Sequence, residues 1–183
     1  MMRLINLLFV YLFLSACSSM ANIDYDRNVN FKSFNSYNIQ ITPVRVDDDT
    51  RINTPFMQQR IVKAIDIVLA KKGFTKTNKE DNLNVKYYMD VQKDLETDDS
   101  GLYMGFGSSG YNSSIGFGFA VPVGETYSVD KLVVTIDMLS AKTGKLVWRG
   151  TLASRLVDGA TPESNTQMIN ELVAGILKNF PPK

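Results

Sequence analysis

Apolar and polar residues alternate most regularly over residues 83–92, LNVKYYMDVQ. In a β-strand, side chains at every second position point to the same face. The apolar set is Leu83, Val85, Tyr87, Met89 and Val91, and the polar set is Asn84, Lys86, Tyr88, Asp90 and Gln92. The pattern predicts a strand with one buried face and one face open to solvent.

Three further stretches alternate in the same way. Residues 37–42 predict a half-buried strand, and residues 130–155 predict two strands around a tight turn at Lys142-Thr143-Gly144, where the glycine would take a positive φ. The predicted buried positions are Tyr37, Ile39 and Ile41, then Leu132, Val134, Ile136 and Met138, then Leu146, Trp148 and Leu152. We interpret Trp148 as a core residue because its neighbours two positions away are apolar.

Helical periodicity occurs at residues 54–74 and 161–180. Both stretches begin with Thr-Pro, which suits an N-cap followed by the first helical position. Gly73 would end the first helix and let Phe74 fold back on Leu69, and two prolines would end the second. The apolar faces are Ile61, Ala64, Ile65, Val68 and Leu69, and Met168, Leu172, Val173, Ile176, Leu177 and Phe180.

Residues 101–124 have a different composition. They hold seven of the 12 glycines and five aromatic residues, and large and small residues alternate in two arms. This pattern predicts a long hairpin with one bulky face and one bare face. The residues before it, DLETDDS at 94–100, predict an acidic turn.

The predicted elements follow the order β-α-β-(Gly-rich hairpin)-β-β-α. Because strand faces alternate, helices would cover one face of the sheet, which indicates an α+β fold with a largely antiparallel sheet and two helices packed on one face. We predict one domain over residues 24–180, with the hairpin inserted at 101–124. Its shared core would contain Leu83, Val85, Tyr87, Ile136, Trp148, Ile65, Leu69, Leu172 and Ile176.

The most apolar run in the chain, LLFVYLFLSA, follows Arg3 and ends at the only cysteine, Cys17. It is shorter than the ~20 residues that a transmembrane helix needs. A basic start, a short apolar stretch and small residues at its end are typical of a secretory signal peptide. We interpret residues 1–16 as a signal peptide that is removed, and residues 17–23 as a polar tether.

Leu14-Ser15-Ala16-Cys17 resembles the lipobox of bacterial lipoproteins. The resemblance implies that Cys17 is acylated, that cleavage occurs before it, and that acyl chains on Cys17 attach the protein to a membrane. Ser18 follows the cysteine where Asp usually retains lipoproteins at the inner membrane, so the implied location is the outer membrane, at its periplasmic face or at the cell surface. The alternative is a buried free cysteine at the end of an uncleaved anchor.

The composition of the chain limits the kinds of catalytic and metal site that it can form. The 183-residue chain has a net charge of +1 and no histidine. Without histidine, Ser-His and Cys-His nucleophile systems and most zinc and copper sites are excluded. Balanced charge does not favour a nucleic-acid partner, and a single cysteine cannot form a disulfide within the chain. We expect no cofactor and no metal.

Carboxylates are the remaining candidates for chemistry. The acidic runs at 47–49 and 94–99 offer oxygen ligands for Ca²⁺, but neither has the spacing of a calcium loop, and we interpret both as solvated. GFGSSG at 105–110 matches a dinucleotide-binding fingerprint, but a strand-like sequence follows it where that fingerprint requires a helix. We interpret the match as coincidental.

The aromatic residues of the Gly-rich hairpin are the candidate docking surface: Tyr103, Phe106, Tyr111, Phe117 and Phe119. Exposed aromatic side chains would bind an envelope protein, a glycan or a lipid headgroup layer, and the glycines would allow close backbone approach. The alternative is a flexible hairpin that only packs on the sheet, with these residues as core, or that is partly disordered.

Five segments together resemble the bacterial lipoproteins of domain of unknown function 4136. They are DYDRNVNFKSFNSYNI at 24–39, AKKGF at 70–74, the Gly/aromatic stretch, AKTGKLVWRG at 141–150 and ILKNFPP at 176–182. Two departures are Ile39, where the family often has Trp, and a Gly-rich stretch with fewer Tyr and Trp than usual. The resemblance implies a fold and an envelope location, and it supplies no catalytic residues.

We therefore predict a non-catalytic outer-membrane lipoprotein that binds or supports an envelope partner. One alternative is an accessory lipoprotein subunit of an envelope transport or assembly machine. Another is a hydrolase that acts on an envelope glycan with a carboxylate-only site.

Overall fold

The computed structural model describes residues 20–40, 45–78, 82–97, 103–104, 121–122 and 126–182. The strands are β1 (Asn22–Tyr25), β2 (Ser36–Ile39), β3 (Arg45–Val46), β4 (Thr75–Lys76), β5 (Leu83–Thr97), β6 (Tyr103–Met104), β7 (Val121–Pro122), β8 (Thr126–Ser140) and β9 (Leu146–Arg155). The helices are α1 (Pro55–Lys71) and α2 (Pro162–Leu177), and Phe31–Ser33 forms a short 3-10 helix. The predicted signal peptide, Cys17 and Ile41 lie outside the described residues.

Seven strands form one sheet in the order β1-β9-β8-β5-β2-β4, with β3 also paired to β5. The long pairings β5–β8 and β8–β9 are antiparallel, as is β1–β9. The short strands β2 and β3 run parallel to β5, and β4 runs parallel to β2. The predicted α+β fold with a largely antiparallel sheet is confirmed, and the parallel edge with β3 and β4 is an addition that the sequence pattern did not indicate.

Strands β5 and β8 pair along their whole length, from Leu83 opposite Ser140 to Thr97 opposite Thr126. The prediction of an acidic turn is therefore wrong for residues 94–97, because each of them has a partner on β8. Charged side chains do not prevent strand pairing where the strand is exposed, and Asp94 forms an ion pair with Lys131 of the partner strand at 2.7 Å.

Both helices begin as their sequences indicate, and the first also ends as predicted. The side chains of Thr54 and Thr161 accept hydrogen bonds from the backbone N–H groups of Met57 and Ser164. After α1, Gly73 has a φ of 86°, and the N–H of Phe74 donates to the carbonyl of Leu69. Neither helix in this described part of the chain is long and apolar enough to cross a membrane.

The core lies between the helices and one face of the sheet. Every residue that the sequence assigned to the shared core is buried in one cluster, which confirms that prediction. Phe180 lies in an aromatic group, with ring centroids 5.1 Å from Trp148, 5.5 Å from Phe74 and 6.2 Å from Phe31. The indole N–H of Trp148 has no acceptor among the described residues, so apolar packing holds this ring.

Two predictions at strand ends are wrong. Leu146 is 44% exposed, because the register of β8 and β9 shifts after Met138 and an extra residue, Val147, turns inward in its place. Asn22 and Ile23, which we assigned to the tether, belong to β1 and pair with β9. The chain before the sheet is therefore shorter than predicted.

Gly150 lies where the core has no space for a side chain. A Cβ atom there would be 2.5 Å from the Trp148 ring and 2.8 Å from Ile176. At Gly175, a Cβ atom would meet only the end of the flexible Leu152 side chain, at 2.7 Å. We expect Gly150→Ala to destabilise the protein by ~1–3 kcal/mol through overpacking.

Gly175→Ala is the matched control, because alanine favours the helix over glycine by up to ~1 kcal/mol. Urea unfolding of both variants measures the difference. Equal stability of the two would mean that Trp148 and Ile176 do not pack as described.

Candidate functional site

The predicted docking residues fall mainly outside the described part of the chain. Tyr103 is in β6, whose backbone pairs antiparallel with β7, Tyr103 opposite Pro122 and Met104 opposite Val121. Phe106, Tyr111, Phe117 and Phe119 lie outside the described residues. The structure shows where this segment is attached: it connects the end of β5 to the start of β8.

The sheet face opposite the helices carries a buried ion pair. The Arg149 Nε and Nη2 atoms donate to the two carboxylate oxygens of Asp137 at 2.6 and 2.7 Å. Asp137 is buried, whereas the Arg149 side chain is 46% exposed and lies 6.0 Å from the Tyr88 ring centre. The carboxylate raises the pKa of Arg149, and burial followed by the nearby Asp137 charge raises the pKa of Tyr88. Arg149 therefore stays charged and Tyr88 stays neutral at neutral pH.

Arg51 connects three carboxylates at the N-terminal end of α1. Its guanidinium lies 2.6 Å from Asp49, 2.7 Å from Asp130 and 2.7 Å from Asp158. These contacts tie the loop before α1 to β8 and to the loop after β9. The hydrogen bonds from Arg51 lower the pKa of Asp49, so the acidic run at 47–49 is anchored at its last residue by an arginine.

Other carboxylates are also bound to cations. Asp66 accepts from the Tyr37 hydroxyl at 2.9 Å and from Lys76 at 2.7 Å, and the hydrogen bond from Lys131 lowers the pKa of Asp94. Among the residues that the structure describes, no three acidic or cysteine side chains come together as metal ligands. The described carboxylates with shifted pKa values are thus stabilised as anions, which is unfavourable for a general acid.

A groove of about 630 Å³ lies at the opposite end of the helices, beside the edge strand β1. Ile23 and Tyr25 of β1 and the prolines at 181–182 line it, as does the buried Phe180. Lys72, Lys178 and Asn179 supply the polar part of the lining. The arrangement can hold an elongated apolar group with an anionic end.

Neither this groove nor the Asp137–Arg149 pair was predicted from the sequence. For the pair, a signal was present: Asp137 interrupts the apolar run LVVTIDML, where a charge requires a partner. For the groove there was none, because Asn22 and Ile23 of β1 were assigned to the tether, and the other groove residues lie more than 40 positions further along the sequence.

The sequence matches the family Domain of unknown function (DUF4136) over residues 21–182. The match covers nearly all of the described residues, and the chain belongs to this family. No match to a curated protein was found.

Solved structures with a similar fold include a PDZ domain protein from Parabacteroides distasonis, at 15% identity and a TM-score of 0.53. That comparison covers 96% of this chain and 39% of the PDZ protein, so this chain corresponds to a minor part of it. A DUF4136 family protein from Bacteroides thetaiotaomicron has 14% identity and a TM-score of 0.48, covering 90% of this chain and 97% of that one. A minor lipoprotein from Acinetobacter baumannii has 12% identity and a TM-score of 0.40, covering 80% and 92% respectively.

Removing one partner of the Asp137–Arg149 pair should lower the free energy of unfolding more when the partner that remains is the buried charge. Arg149→Met leaves the buried Asp137 carboxylate without its cation, and we expect a loss of up to ~3–5 kcal/mol. Asp137→Leu leaves an arginine that water already reaches, so its loss should be smaller.

The double variant Asp137→Leu/Arg149→Met should be more stable than Arg149→Met alone. Denaturant unfolding of the three variants tests this order. If the double variant were the least stable, the charge on Asp137 would not be the source of the cost.

Proposed function

We propose that this protein is a non-catalytic lipoprotein of the bacterial outer membrane that binds an envelope partner. The observation that carries the proposal is the sequence Leu14-Ser15-Ala16-Cys17, with the first strand of the domain beginning at Asn22. Four residues separate Cys17 from that strand, and the five Cα–Cα steps from Cys17 to Asn22 span at most about 18 Å. Acylation of Cys17 would therefore hold the folded domain against the membrane surface.

The described carboxylates support a non-catalytic role. Inverting and retaining glycosidases need two acids in one cleft, of which one has a raised pKa. Asp49 and Asp94 have lowered pKa values, and Asp137 is bound at both oxygens by Arg149. These carboxylates form ion pairs that hold loops and strands in place.

Mass spectrometry of the protein from its native envelope tests the anchor. We expect the mature chain to begin at an acylated Cys17, and Cys17→Ala to accumulate as an unprocessed precursor because the acyl acceptor is lost. Ser19→Ala is the control and should be processed normally. An intact Met1 in the wild-type protein would contradict the proposal.

The partner would dock on the segment between β5 and β8. Its aromatic residues Tyr103, Phe106, Tyr111, Phe117 and Phe119 provide apolar area, and its glycines permit close backbone contact. The β5–β8 pair supports this reading, because the segment connects the ends of these two strands, where apolar side chains are exposed. Near this end of the pair, Leu95 on β5 is 71% exposed, and Tyr127 on β8, opposite Glu96, is 41% exposed.

Substituting three of these aromatics should separate docking from folding. We expect Phe106→Ser/Phe117→Ser/Phe119→Ser to keep the thermal unfolding temperature while losing a partner that is crosslinked and recovered with the wild-type lipoprotein. The control is Phe56→Ser/Ile67→Ser/Val157→Ser, which removes apolar residues that are 69%, 41% and 58% exposed and lie away from that segment.

The control should retain the partner. A clear loss of stability in the first triple variant would assign its phenylalanines to the core and reject the docking surface.

A further inference from the structure

The groove beside β1 has the size and lining of a ligand site. Its volume of about 630 Å³ lies in the ~300–1,000 Å³ range of small-molecule sites. Ile23 and the two prolines supply apolar walls, and Tyr25, which is 38% exposed, has both an aromatic ring and a hydroxyl. Phe180 beneath them is supported by Trp148 at 5.1 Å, so the floor is rigid.

The groove is also cationic. Lys72 and Lys178 are the C-caps of α1 and α2, and the Lys72 ammonium donates to the Lys178 carbonyl at 3.1 Å. Two helix C-termini contribute roughly one negative charge together, whereas the two lysines and the neighbouring exposed Lys71 carry three positive charges. Neither Lys72 nor Lys178 is paired with a carboxylate in the described residues, so positive charge remains for a ligand.

The position of the groove relates it to the anchor. Ile23 lines the groove and follows Cys17 by six residues, a span of at most about 22 Å. β1 is an edge strand of the described sheet, so nothing in that sheet lies between the groove and the tether. An acyl chain on Cys17 would keep the groove within reach of lipid headgroups.

We propose that this groove binds an anionic phospholipid of the membrane to which Cys17 is anchored, an inference that rests on the proposed function. Lys72 and Lys178 bind the phosphate as point charges. Tyr25 lies at the level of the glycerol esters, where amphipathic aromatic side chains are favoured. Ile23, Phe180 and the prolines contact the upper acyl chain. The domain thus has a second, non-covalent membrane contact that fixes its orientation.

Trp148 provides the readout, because it is the only tryptophan of the chain and contacts the groove floor. The mature lipidated protein, beginning at Cys17, is reconstituted in phosphatidylcholine vesicles that contain either brominated phosphatidylglycerol or brominated phosphatidylcholine. We expect stronger quenching of Trp148 fluorescence by the brominated phosphatidylglycerol. Equal quenching by the two lipids would overturn the proposal.

Lysine variants assign the preference to the groove. Lys72→Gln/Lys178→Gln should raise the phosphatidylglycerol fraction needed for half-maximal quenching by about tenfold or more, since each lysine near an anionic surface contributes measurably to binding. Lys72→Arg/Lys178→Arg should retain the preference.

Lys142→Gln/Lys145→Gln is the matched control, because it removes two exposed lysines from the β8–β9 turn. If this control lost the preference equally, general electrostatic attraction would explain the result and the groove would not be a site. Flotation of the same vesicles separates the two proposals: protein that fails to float contradicts the lipid anchor, whereas protein that floats without the quenching difference contradicts the groove alone.

Discussion

The β5–β8 pairing is the constraint on which the rest of the structure depends. Fifteen consecutive residues of each strand are in register, and a shift of one residue would turn every side chain to the wrong face. In the observed register, Val85 and Met138 share the buried face, as do Tyr87 and Ile136. That face provides the platform for both helices, and the same pairing carries the Gly-rich segment at its far end.

On the opposite face of the sheet, the same strand register determines which side chain lies beside Asp137. Asp137 belongs to the solvent side of β8, yet its neighbours leave it only 3% exposed. A carboxylate at that depth requires a cation, and Arg149 is directly opposite on β9. The pair therefore follows from strand register. Arg149 compensates the charge of the buried carboxylate on the face of the sheet that the helices do not cover.

The two ends of the domain have different characters. At the N-terminal ends of the helices, Arg51 binds Asp49, Asp130 and Asp158, so its charge is compensated. At the C-terminal ends, Lys72 and Lys178 lie beside an apolar groove without carboxylate partners in the described residues. The first arrangement stabilises loops. The second leaves positive charge and apolar surface together beside β1, which is the combination that the proposed phospholipid ligand requires.

Local patterns in the sequence determined the helices with their Thr-Pro starts, the glycine turns at Gly73 and Gly144, the core residues and the family resemblance, because periodicity and capping act over a few residues. The tertiary structure alone decided the parallel edge, the inward turn of Val147 in place of Leu146, and the extension of β5 through residues 94–97. These features depend on which strand lies opposite. The groove depends most strongly on tertiary structure, because residues 23–25 and residues 178–182 line it together. A local sequence pattern cannot indicate that two segments so far apart in the chain lie side by side.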